Sequence, residues 1–236
     1  MNSNAEAIFY EGLKTIGLDA EREGAKKVLA YLDQMLEKNR VMNLSAIREE
    51  EAAVRLHGLD ALAIFSCLDL KGKTLLDVGT GGGVPGALIA LYEPEAKVSM
   101  LDSTAKKLAF VEEACTVLGA KADFYAERAE VMAQGKLREK FDVVTARAVA
   151  SLPALCELCL PFVKKGGIFA AYKANAAEEL ALSKHAIAAL GGEELSPFDY
   201  SIPGEEAARC IILIKKVSSS PAQYPRAWAK IKAKPL

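Results

Sequence analysis

The residues of this chain best able to do chemistry lie in LLDVGTGGGVPG, residues 75 to 86. An apolar run ends in Asp77, a turn follows with Gly79, Gly81 and Gly83, and Pro85 opens an amphipathic stretch. That is the form of a strand, a tight turn and the start of a helix. Glycines without a Cβ let such a turn take positive φ and bring backbone against a ligand, and the first turn of a helix has N–H groups with no partner inside it. The dinucleotide fingerprint G-x-G-x-x-G fails here, because Val84 stands where the third glycine belongs. An acid at Asp77, where NAD proteins usually have an apolar residue, suits a cationic ammonium such as that of S-adenosyl-L-methionine (SAM).

Other polar residues recur at the ends of the segments that follow. Asp102 closes KVSMLD about 20 residues past the glycines, where an acid accepts hydrogen bonds from ribose hydroxyls in nucleoside-binding sheets. In AERAE, Glu130 or Glu127 is placed to meet an adenine amino group, and Ala129 is small enough to leave room for the ring. Arg128 either faces the substrate or pairs with a neighbouring glutamate. Arg147 follows FDVVTA directly, at the crevice where such sheets bind ligands, and Lys173 ends GGIFAAYK at the same rim. Neither an Asn/Asp-Pro-Pro-aromatic motif nor a cysteine nucleophile stands at this site, which argues against exocyclic-amine or C5 methylation of a base.

These residues need a sheet to bring them together. From Lys73 the pattern predicts strands at about 74–79, 97–102, 121–126, 141–146, 166–173, 194–200 and 208–216, with helices between the first six. Such alternation implies an α/β fold with a mostly parallel sheet and helices on both faces. SIPGEEAA leaves room only for a turn between the last two strands, so they form an antiparallel pair at one edge. That ending distinguishes the Rossmann-like SAM-dependent methyltransferase sheet (class I) from an ordinary dinucleotide-binding one. Ahead of the sheet, residues 5–17, 20–38 (with Asp19 as N-cap) and 49–66 read as amphipathic helices. The expected division is a helical cap over 1–70 packed on the same core, a SAM-binding core over 71–217 and a basic tail over 218–236.

Composition narrows the class. Half of the 236 residues are apolar and the formal net charge is −1, so neither disorder nor overall attraction to nucleic acid is indicated. No apolar run reaches the roughly 18 residues of a membrane span, and the acid in MNSNAEAIFYEG is unlike a signal peptide. Both point to the cytoplasm. Cys156 and Cys159, three apart on one apolar helix face, read as core packing, since a zinc site would need a second pair or nearby histidines and the chain has only His57 and His185. After Glu206 there is no acid while seven basic residues follow. That run is either a phosphate-contacting tail or a solvated terminus.

NLSAI, HGLDALA, LLDVGTGGGVPG, the lysine pair after Asp102, RAE, VTARAVASL, the GG…AYK strand and YPR…KPL together resemble the RsmG/GidB family of bacterial 16S ribosomal RNA guanine-N7 methyltransferases, over about residues 40–236. The resemblance departs at Leu56, where a basic residue is usual, at Ala61, at Val84 and in the tail, which lacks the usual Gly- and Pro-containing form. It implies cofactor contacts at Gly79, Val84, Asp102, Ala129, Glu130 and Arg147, and basic residues around a target guanine at Arg128, Arg147 and Lys173. SAM is the implied cofactor and 16S ribosomal RNA or the small ribosomal subunit the implied partner, with a monomer, no metal and no membrane association. Guanine N7 has an in-plane lone pair and no proton, so neither a catalytic nucleophile nor a general base is expected. The alternatives are a SAM-dependent small-molecule methyltransferase and a non-catalytic SAM-binding ribosome-assembly factor; an NAD-dependent dehydrogenase is disfavoured by Val84, Asp77 and the edge pair.

Overall fold

The computed structural model describes residues 1–147, 150–174 and 176–236; Ala148 and Val149, inside the TARAVASL motif, lie outside the described residues. The strand–helix alternation folds as β1 (Thr74–Val78), β2 (Lys97–Asp102), β3 (Ala122–Ala126), β4 (Phe141–Arg147) and β5 (Val163–Lys173), all paired in parallel. The sheet continues through β6 (Gly192–Glu194), β7 (Phe198–Tyr200) and β8 (Arg209–Lys216) in the order β3-β2-β1-β4-β5-β8-β6, with β7 also on β8. β8 runs antiparallel to β5 and to both short strands.

The single strand expected over 194–200 is thus two. Leu195 N–H still bonds Leu213 O at 2.9 Å, but Pro197, next to face β8, has no N–H to give. The register moves by one residue across the break: Glu194 faces Ile214 and Phe198 faces Ile211.

Period-two alternation assigns each strand residue to one of two cores. Leu75, Val143, Ala170 and Leu213 belong to a cluster shared with the N-terminal helices, while Leu76, Val144, Phe169 and Ile214 belong to one on the opposite face. The first face is covered by α1 (Ser3–Thr15) and α2 (Glu23–Asn39), by α3 (Glu50–Ala53) and α4 (Asp60–Leu62), and by α5 (Gly86–Tyr92) and α6 (Ala105–Leu118). The second is covered by α7 (Ala129–Gln134), α8 (Leu152–Cys159), α9 (Ala176–Ala189) and α10 (Trp228–Ala233). Cys156 and Cys159 are buried free thiols in the second core.

Two local expectations change. Asp19 does not cap α2, whose N-cap is Arg22; it accepts from Glu21 N–H at 2.9 Å in the turn before it. The third helix, expected as one element, stays helical from Glu50 to Ser66 but changes pitch: a π-helical turn, Val54–Leu59, joins α3 to α4, and a 3₁₀ turn, Ala63–Ser66, ends it. Gly58 in the π turn lies so near Phe9 that an added Cβ would stand 2.9 Å from its ring. Packing of α1 on this segment therefore requires glycine there.

The C-terminal residues are tied to the second face rather than extended into solvent. Arg138 donates to Ser220 O at 2.7 Å and to Tyr224 O at 2.8 Å, and Ile231 is fully buried. Arg226 donates its Nε and Nη2 to the two carboxylate oxygens of Glu157, at 2.8 and 2.6 Å, and its backbone N–H also reaches Glu157. Glu157 is wholly buried in α8, so this pair is what makes its charge tolerable. Arg226→Met leaves that carboxylate unpaired and is expected to cost about 3 kcal/mol, read as a lower urea midpoint. Adding Glu157→Gln to Arg226→Met should restore much of the loss.

Candidate functional site

The turn after β1 works as expected in one respect and differently in another. Gly79, Gly81 and Gly83 have φ of 72°, 56° and 87°, in the left-handed region that favours glycine. A Cβ on Gly83 would collide with the Tyr31 hydroxyl, which is itself held by Gly82 O at 2.8 Å. Most of its N–H groups, however, are already used within the protein. Gly79 and Thr80 donate to Leu101 O, Gly81 to Asp102, Gly83 and Val84 to Thr80 O, and Gly86 at the head of α5 to Asp77 at 3.0 Å. A loop that has spent these donors is a poor pyrophosphate cradle, which sets it against a dinucleotide and in favour of a ligand without phosphate.

Asp77 explains part of this, and it is not the ammonium ligand suggested by its position. It lies fully buried beneath the turn, bonded to Gly86 N–H and to the Thr145 hydroxyl at 2.9 Å. Burial raises its carboxyl above the ordinary value, and the donated hydrogen bonds pull it back down. The carboxylate therefore ties β1, β4 and α5 together from below.

Above the turn is a crevice of about 550 Å³, within the range of small-molecule sites. Gly79, Gly81, Val84, Asp102, Arg128, Ala129, Glu130 and Arg147 all line it. Asp102 accepts from Gly81 N–H at 2.8 Å and Thr104 N–H at 2.7 Å, one on each oxygen. Each oxygen keeps a lone pair for a diol. Arg128 pairs with its neighbour: its Nε lies 2.6 Å from Glu130 Oε1. The wall also includes Trp228, brought there by the C-terminal strap.

Arg147, at the end of β4, is the most constrained of these residues. One Nη donates to Leu56 O at 2.8 Å and to Asp60 at 2.9 Å; the other meets His57 Nδ1 at 2.9 Å. Its three partners come from the π turn and the first residue of α4. Asp60 also accepts from Tyr200 and Arg209, at 2.7 and 3.0 Å, so one buried carboxylate joins the cap, β4 and the edge strands. His57 Nε2 lies 2.8 Å from Ser45 Oγ, and burial together with the Arg147 charge lowers its pKa to about 4. Neutral at ordinary pH, it must accept from Arg147 at Nδ1, since a guanidinium only donates.

Lys173 is not on the crevice. It lines a neighbouring cavity of about 330 Å³ that shares Arg147 with the first and includes Asp60, Tyr200 and Arg209. Its ammonium lies 2.8 Å from Glu179 and 2.8 Å from Ala150 O. Residue type alone suggests nothing for His57 beyond a metal ligand and assigns no role to Ser45, Asp60 or Trp228. The spacing of His57 and Asp60, three apart on a helix, was the available signal. Among the described residues no group of three or more His, Cys, Asp or Glu side chains is placed to hold a metal ion.

A family model described as rRNA small subunit methyltransferase G (GidB) matches residues 25–201. The ribosomal RNA small subunit methyltransferase G of Acetivibrio thermocellus is 39% identical over 231 residues, spanning 97% of this chain and 96% of the relative. That of Lachnoclostridium phytofermentans is 38% identical over 234 residues, spanning 98% and 97%. Among solved structures, a SAM-dependent O-methyltransferase from Thermotoga maritima gives a TM-score of 0.53 at 16% identity, covering 79% of this chain and 73% of the other. TrmN from Thermus thermophilus gives 0.51 at 20% identity, covering 66% and 47%. At such identities the structural likeness speaks for the fold alone, the Rossmann-like sheet of SAM-dependent methyltransferases.

The crevice makes two outcomes testable. Trp228 is the only tryptophan of the chain, so SAM titrated into the protein should change its fluorescence saturably, and Asp102→Ala should weaken that titration about tenfold or more. His57 is neutral in the folded protein down to about pH 4 but protonates near 6.5 when unfolded. Over that window the unfolded chain binds the extra proton, so stability falls as pH falls from 6.5 towards 4. Thermal melts of His57→Gln should lack this part of the dependence.

Proposed function

Because this chain belongs to the rRNA small subunit methyltransferase G family, we propose that it transfers the methyl group of SAM to N7 of a guanine in 16S ribosomal RNA. It is a SAM-dependent rRNA methyltransferase; the atom, the base and the residues that hold them are the proposal. The observation that carries it is Arg147, fixed by the cap beside the glycine turn.

SAM supplies an activated methyl group on a sulfonium. The chain's own part is alignment, which accounts for a large share of rate in a displacement between two bound partners. In this reading Gly79, Gly81 and Val84 receive the methionine end, Asp102 the ribose, and Ala129 with Glu130 the adenine. Arg147 has three of its five N–H donors committed to the protein, which fixes the guanidinium plane, so it offers the guanine a fixed planar cation to stack on, as guanidinium planes do for unpaired bases. Asp60, shared with Arg209, and the neutral His57 limit the positive charge that cation brings to where the purine becomes positive. Arg128, 46% exposed, and Lys173, once released from Glu179, contact the RNA around the target. N7 carries no proton, and the crevice supports the reaction without a base.

No described helix is long and apolar enough to cross a membrane, which agrees with work in the cytoplasm, where ribosomal RNA is made.

Mass spectrometry of ribosomal RNA nucleosides from cells with and without this gene tests the reading. Loss of 7-methylguanosine at one 16S position is expected, and an unchanged profile would overturn it. Arg147→Lys, which keeps a cation beside Asp60 but loses the planar fork, should lower methyl transfer about a hundredfold or more while near-ultraviolet dichroism stays native; full activity would remove the Arg147 guanidinium from the site.

A further inference from the structure

The loop before α3 is held in an unusual way. The buried Asn39 side chain, at the end of α2, makes four hydrogen bonds to it: Oδ1 accepts from Leu44 and Ser45 N–H, and Nδ2 donates to Ser45 O and Ile47 O, all between 2.8 and 3.0 Å. Its whole hydrogen-bonding capacity goes into placing Ser45, whose side chain lines the crevice together with His57 and Arg147.

The direction of each hydrogen bond follows from what each group can do. Arg147 only donates, so His57 Nδ1 accepts and the ring proton sits on Nε2. Nε2–H therefore donates to Ser45 Oγ at 2.8 Å, and Ile47 N–H donates to the same oxygen at 3.0 Å. A hydroxyl oxygen has two lone pairs and one hydrogen. Both lone pairs are used, and the hydrogen has no acceptor among the described residues. The depressed basicity of His57 agrees with this arrangement, since a protonated ring would repel Arg147.

We propose that Ser45 is a donor-only hydroxyl that recognises O6 of the target guanine and so selects guanine over adenine. The inference rests on the guanine-N7 reading above. An ordinary serine accepts as readily as it donates and cannot tell a carbonyl from an amino group. Here His57 and Ile47 remove the accepting capacity, so the amino group of adenine, itself a donor at the same position, meets an unpaired hydrogen. O6 and N7 lie side by side on one edge of guanine, so a bond to O6 also turns N7 towards the methyl group. The hydroxyl inherits its orientation from Arg147 through His57, and the stacking cation and the base-reading donor are one assembly.

The test uses the full-length enzyme, tritiated SAM and small-subunit RNA carrying guanine, inosine or 2-aminopurine at the methylated position. Inosine keeps O6; 2-aminopurine lacks it. Ser45→Ala should lower kcat/KM about tenfold on guanine and inosine, leave 2-aminopurine unchanged, and leave SAM affinity by Trp228 fluorescence unchanged. Ser45→Thr, which keeps the hydroxyl, should restore discrimination if the protein melts as wild type does. An equal loss on all three purines, or weakened SAM binding in Ser45→Ala with discrimination retained, overturns the proposal. A wild-type enzyme inactive on guanine RNA overturns the parent reading, and this one with it.

Discussion

The guanidinium of Arg147 is the point at which the two halves of this chain become one site. It sits at the end of a buried parallel strand, and what it binds, Leu56 O, His57 and Asp60, belongs to the N-terminal helices. Without them, a cation 18% exposed at the strand end would be an isolated, partly desolvated charge. With them, the helical cap is set against the sheet at a fixed distance, and the crevice has a wall on that side. The requirement runs in both directions: Asp60, 3% exposed, is tolerable because Arg147, Arg209 and Tyr200 all donate to it.

A second buried carboxylate organises the other wall. Asp77 holds the head of α5 and the Thr145 hydroxyl beneath the glycine turn, and Gly86 has no side chain because a Cβ there would lie 2.9 Å from Asp77. The glycine turn is thus rigid from below and, with most of its amides used internally, suits a ligand that asks for shape and a few acceptors. This is a reason, independent of any resemblance, for such a turn to serve SAM rather than a dinucleotide.

Much of this was legible in residue order. Strand positions followed from apolar runs of period two, and the antiparallel ending from the short SIPGEEAA link, because both are local consequences of backbone geometry. Most of the crevice residues named from sequence line one cavity, because strand ends in a parallel sheet converge at one edge. The misreadings have a common form. Position in sequence suggests that Asp77 faces a ligand and that Lys173 shares the crevice, but a residue at a strand end points up, down or aside according to its register, which one sequence does not display. In the tail, composition shows Arg226 without showing Glu157, 69 residues away, which pairs with it, while Lys230, Lys232 and Lys234 are exposed as their charge suggests.

The sequence by itself determined the parallel sheet, the glycine turn, the positions of Asp102 and Arg147 at strand ends and, through its motifs, the family. These rest on spacing along the chain, and spacing is preserved on folding. The tertiary structure alone decided that helix pitch changes at Val54–Leu59, that Asn39 places Ser45, and that His57 joins Ser45 to Arg147. The pitch change answers the packing of α1 against Gly58, and the chain from Ser45 to Arg147 closes through a contact 90 residues apart in sequence, so the direction of its hydrogen bonds follows only once all its members are seen together.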